Sequence, residues 1–186
     1  MSGASTDGPA GRAMKPGELD PKLSDPKLYV AHTLGMRCSH AWCGLPDIAR
    51  RVLDRLEVEH LVHRLKQNGR LFCRYDDLEA WGMRRASVRL GVEIAAALGF
   101  IEITRRGWKS IPSTYRLTYV KSFKDQPPVT DEWTRFRTAK EVRDAIRGVM
   151  AALDREKANK KARADNAQNR IKVTKDRNSP GHVVTL

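Results

Sequence analysis

The 186 residues carry 35 lysines and arginines against 22 aspartates and glutamates, a formal net charge of +13, and so basic a surface attracts phosphates and repels cations. The length suits one core of ordinary size plus tails, and no segment approaches the roughly 18–20 apolar residues of a membrane span. Cys38, Cys43 and Cys73 are an odd number of cysteines in a chain too long to need disulfide staples, and MSGASTDGPAGRAM lacks the apolar run of a secretion signal, so a cytoplasmic protein is expected.

Residues 1–40 are rich in Gly, Ser, Pro and Asp, with Pro21 and Pro26 breaking the candidate turns, and predict a mostly disordered arm. Pro46 then opens a long helix whose apolar positions Ile48, Ala49, Val52, Leu53 and Leu56, continuing to Leu65, keep the spacing of a core-facing stripe. Asn68-Gly69 is expected to end it. Leu71 to Tyr75 alternates as a short strand. Asp76 is the expected N-cap of a two-turn helix, DLEAW, that Gly82 stops.

A further helix opens at Arg85 or Ser87. It places Val88, Gly91, Val92, Ala95 and Leu98 on one side and Arg85, Arg89 and Glu93 on the opposite arc, with Leu90 and Ile94 blurring one flank. Gly99 suits a left-handed C-cap. Phe100–Thr104 and Thr114–Val120 read as the strands of a hairpin whose loop, Arg105 to Ser113, contains Gly107 and Pro112. Gln126-Pro127-Pro128 falls in a linker, 122–137. Thr138 and Glu141 then form a capping box for an amphipathic helix, 138–156. Its stripe of Ala139, Val142, Ile146, Val149 and Leu153 suits either packing on the preceding domain or pairing in a homodimer. The tail, 157–186, is expected to be basic and largely disordered; Arg155 to Arg177 holds nine basic and three acidic residues.

The order helix, short strand, short helix, turn, helix, strand, loop, strand is that of a winged helix-turn-helix domain over residues 41–121, a mostly α fold with a small β-hairpin (α+β). The same stretch, less than half of the chain, resembles winged-helix proteins of bacterial plasmids, prophages and integrative elements that are similar to replication initiators. The matching pieces are SHAW (Ser39 to Trp42), VLDRLEVEH, NGRLFCRYDDLEAWG, ALGFIEITRRG and YRLTYV. The resemblance implies binding of double-stranded DNA and residence on mobile DNA, as an initiator or as a transcriptional regulator.

Two sets of residues are candidates for that contact. Arg84, Arg85, Ser87 and Arg89 begin the helix after the turn, where arginine can fork onto guanine and serine can bond a base edge or a phosphate; ordinary solvated charges, with Arg89 paired to Glu93, are the plainer reading. Arg105, Arg106, Trp108 and Lys109 occupy the hairpin loop, where cations neutralise backbone phosphates. Trp108 either packs on sugar or the base of the wing, or folds back on the domain.

Other chemistries find less support. C-x-H-x2-C at Cys38, His40 and Cys43, with Cys73 far downstream, matches no common zinc spacing. Glu57, His60 and His63 resemble half of a carboxylate-bridged metal site whose second half is missing, and read as helix-surface polar residues. Asp76, Asp77 and Glu79 suit capping and the helix dipole better than acid–base work. There is no phosphate-cradling G-x-x-x-x-G-K-[ST] and no G-x-S-x-G, so no enzyme, cofactor or metal is expected. The rival reading is a protein-interaction module acting through the C-terminal helix.

Overall fold

The computed structural model describes residues 28–108, 111–121 and 128–177, with side chains to residue 168. Six α-helices and a three-stranded antiparallel sheet lie among the described residues, a mixed α+β fold in which helix predominates. None of these helices is long and apolar enough to cross a membrane.

The folded part begins before the boundary at residue 40. Thr33 caps α1 (Leu34–Arg37) and Ser39 caps α2 (His40–Cys43), each hydroxyl accepting a backbone N–H three residues on. Met36 and Trp42 are the reason. Their side chains are buried in the core, Trp42 edge-on to Phe100 at 5.7 Å, and two such anchors order a segment whose surroundings are polar. Residues 1–27 of the expected arm lie outside the described residues.

Helix α3 (Asp47–Val62) buries Ala49, Val52, Leu53 and Leu56 as the stripe requires. It ends earlier than Asn68-Gly69. Arg64 and Leu65 adopt left-handed backbone (φ 50° and 62°), and the Leu65 N–H turns back to the His60 carbonyl at 2.9 Å. Asn68 serves another purpose: buried, it accepts the Leu117 N–H at 2.7 Å and donates to the Leu117 carbonyl at 2.9 Å. A side-chain amide thus extends the pairing of β1 (Leu71–Phe72) along β3 (Thr114–Leu117), and β1 itself is shorter than the alternation predicts.

Helix α4 (Tyr75–Ala80) takes Arg74 rather than Asp76 as its N-cap, because the Asp77 carboxylate three residues on accepts the Arg74 N–H at 2.8 Å. After Gly82 (φ 80°), α5 (Arg85–Ala97) buries Val88, Gly91, Val92 and Ala95, and Leu98 behind them. Ile94 is buried too. Gly91 lets α3 approach closely, since a Cβ there would lie 2.7 Å from the Ile48 carbonyl oxygen.

Gly99 (φ 77°) takes the expected left-handed conformation and leads into β2 (Ile101–Arg105). The sheet order is β1-β3-β2, with a bulge between Ile103 and Arg105. Direct pairing places Phe72, Thr114 and Arg105 in one row on the outer side, while Leu71, Tyr115 and Ile101 are buried. The chain from residue 128 packs where a linker was expected. Pro128 accepts from Arg116, the Thr130 N–H bonds Thr118, and Trp133 and Phe136 lean on the core around a 3₁₀ turn, Glu132–Arg135.

The capping box forms as read: Thr138 Oγ1 accepts the Glu141 N–H and Glu141 accepts the Thr138 N–H, both at 3.2 Å. Helix α6 then runs from Ala139 to Arg177, 39 residues or about 58 Å at 1.5 Å per residue. The expected disordered tail is therefore helical to Arg177. Neither Gly nor Pro interrupts Val149 to Asn178, and Ala, Lys and Arg make up half of the run. The stripe is divided: Val142 is buried, Ile146 and Val149 are partly buried against the core, and Ala139 is exposed. Gly44 makes room for it, as a Cβ there would meet Val142 at 2.7 Å. Of the two uses open to the stripe, packing on its own domain is the one its central residues make.

Candidate nucleic-acid interface

The exposed arc of α5 is a row at four-residue spacing, Arg85, Arg89 and Glu93, and each member holds an opposite charge. Arg85 donates to Asp76 at 2.5 Å and to Glu79 at 2.7 Å from α4. Its guanidinium also lies 5.7 Å from the centre of the Tyr75 ring. Arg89 forks onto Glu156 of α6 at 3.0 and 2.5 Å, so the expected partner Glu93 is not its own. Glu93 instead receives Arg106 from the end of β2 at 2.6 and 3.2 Å. These hydrogen bonds hold the three guanidiniums above their usual pKa and Glu156 below its own.

The candidate residues thus fall into two clefts beside α5. Arg89 and Arg106 share one of about 380 Å³ with Glu93, Glu156, Val149 and Leu153. Arg85 and Trp108 share another of about 410 Å³ with Arg74, Tyr75, Asp76 and Ile111. Arg84 is exposed at the α5 N-cap without an ion pair among the described residues, and Ser87 is half-buried in the first turn. Arg105 is exposed and donates to the Pro112 carbonyl at 3.3 Å. Trp108 does not fold back on the domain: it is 74% exposed. Lys109 lies outside the described residues.

Three of the five arginines, at 85, 89 and 106, are paired with four carboxylates, at 76, 79, 93 and 156, while Arg84 and Arg105 pair with none of these. Phosphates can take those three arginines only by displacing their carboxylates. Asp76, Glu79 and Glu156 are open to water, where such pairs are weak and exchange is permitted; Glu93 is half-buried and holds Arg106 more firmly. Sequence reading missed a second basic run with no acid in it. Arg64, Lys66, Arg70 and Arg74 are all exposed between α3 and α4, and Arg70 and Arg74 flank Phe72 on the outer side of the sheet. The uninterrupted charge run was the available signal.

The other polar clusters of the sequence serve the interior. His60 is fully buried, contrary to a surface reading, and burial pushes its pKa down to about 4. Glu57 receives Tyr119 and bonds His32 at 2.8 Å, while Glu59 joins Arg55 at 3.0 Å and His63 at 3.1 Å. Cys73 is buried, which raises its thiol pKa to about 12; Cys38 and Cys43 are exposed. Among the described residues no three His, Cys, Asp or Glu side chains come together as a set that could hold a metal. No protein-family model, curated protein or solved structure matches the chain.

Proposed function

We propose that the chain binds double-stranded DNA as a winged helix-turn-helix protein, with α5 in the major groove and the β2–β3 hairpin on the adjacent backbone. The observation that carries this reading is α5 itself. It follows a tight turn after α4, buries its apolar side on α3, and turns Arg84, Arg85 and Arg89 outward beside a hairpin bearing Arg105 and Arg106. Guanidiniums at the start of such a helix can fork onto guanine, while those of the hairpin meet phosphates.

The resemblance to winged-helix proteins of plasmids, prophages and integrative elements makes replication initiation or transcriptional control the setting, in the cytoplasm. The rival, a protein-interaction module working through the apolar stripe of α6, is weakened because Val142, Ile146 and Val149 already pack on the chain's own core. Selection of bound fragments from random duplex DNA at a stated salt concentration tests the reading. A shared sequence motif, and an affinity that falls steeply with salt, are the expected results. Salt-insensitive binding without sequence preference would remove it.

A further inference from the structure

Trp108 and Ile111 are an apolar pair that the fold holds out in water. Each N–H donates to the other's carbonyl at 3.0 Å, and the side chains are 74% and 54% exposed. Residues directly opposed in an antiparallel bridge project from the same side of the ribbon. The bridge is braced from behind: a Cβ on Gly107 would lie 2.6 Å from the Ile111 carbonyl oxygen, and the Gly107 N–H donates to Ser113 Oγ at 2.8 Å. An exposed tryptophan on a braced bridge is poised for contact and costs little to order on binding.

What lies beside it points to the ligand. The 410 Å³ cleft is walled by the indole and Tyr75, with Arg74, Arg85 and Asp76 on its other sides, and its volume suits a small ring system with a charged group. Arg74 has no ion pair among the described residues. Arg85 donates to Asp76 Oδ1 and to Glu79 at the α4 side of the cleft. Such a site offers an aromatic face for stacking, a cation for a phosphate, and a carboxylate to accept a ring or exocyclic N–H.

We propose that this cleft holds one unpaired DNA base, stacked on Trp108, with its phosphate on Arg74 and a ring or exocyclic N–H on Asp76. This rests on the DNA-binding reading and deepens it: the hairpin grips a site where the duplex is open. Every base has a π-face, so the stacking is tolerant of sequence. An anionic lipid surface would also welcome Trp108 and the arginines, but a lipid phosphate has no donor for the Asp76 carboxylate, whereas a base has one.

The test compares a labelled duplex with the same duplex carrying a central unpaired bubble, by fluorescence anisotropy at one low salt concentration. The intact chain should bind the bubble about tenfold more tightly. Trp108→Ala should abolish that preference, bringing the ratio of the two affinities to about one, and Trp108→Phe should retain most of it, since a phenyl ring still stacks. Because the indole is exposed, neither change opens the core. Equal affinity for the two probes, or a preference that survives Trp108→Ala, overturns the base-binding cleft and leaves duplex binding standing. Failure to bind either probe overturns both readings. Capture by anionic vesicles, with indifference to the bubble, overturns this one in favour of a lipid surface.

Discussion

Two arginines on neighbouring helices meet carboxylates by similar geometry and do opposite work. Arg55 of α3 donates to Glu59 at 3.0 Å and lies 3.9 Å from Asp77 of α4, in an interior where its side chain is 3% exposed. Arg89 of α5 forks onto Glu156 with both partners open to water. In the interior each charge is hostage to the other, because neither can return to solvent without unfolding the chain. On the outer face the carboxylate can be exchanged for a phosphate. Burial, rather than pairing, separates the charges that hold this fold from those available for recognition.

Removing the buried partner should give the largest effect. Arg55→Leu leaves Glu59 and Asp77 buried without their cation, and should cost about 3–5 kcal/mol in urea unfolding. Arg89→Leu, made for contrast, should leave the unfolding midpoint nearly unchanged. Equal losses at the two positions would break the comparison.

His60 sharpens the interior side. Neither ring nitrogen has a hydrogen-bond partner, and desolvation lowers the pKa from 6.5 to about 4, outweighing the favourable field of Glu57. The folded state therefore resists protonation while the unfolded chain accepts it. Stability should be full above pH 6.5 and fall as the pH drops toward 4, by about 3 kcal/mol for this group. His60→Leu should flatten that part of the profile in urea titrations at the two ends of the window.

The smallest effect belongs to the outer face. Glu156→Gln removes the carboxylate that competes for Arg89, and should tighten duplex binding about two- to fivefold without a measurable change in unfolding midpoint. Unchanged affinity would mean that Arg89 never exchanges its partner.

Local pattern was enough for much of this arrangement and insufficient for its charges. The buried stripe of α5, the left-handed Gly99 and the Thr138–Glu141 box are all set by neighbours within a few residues, and were legible for that reason. Even His60 stands four residues beyond Leu56, on the same stripe, so its burial could have been read from spacing. Asn68 acts on Leu117 and Arg89 on Glu156, across 49 and 67 residues, and no local period carries such a contact. The ordering of residues 28–40 depends on Met36 and Trp42 joining the core, Trp42 edge-on to the distant Phe100, a contact no local period carries. The candidate arginines were legible as exposed positions; the carboxylates that neutralise them were not.

The central claim is that the outward side of α5 reads DNA once its carboxylates yield. The double variant Arg85→Ala/Arg89→Ala tests it most directly, by binding to a selected duplex across a range of salt concentrations. Binding should weaken at least about tenfold, with sequence preference relaxed if the two arginines fork onto bases; each one that instead meets a phosphate should flatten the salt dependence by about 0.9. A variant that matches the parent in affinity, preference and salt dependence would contradict the account.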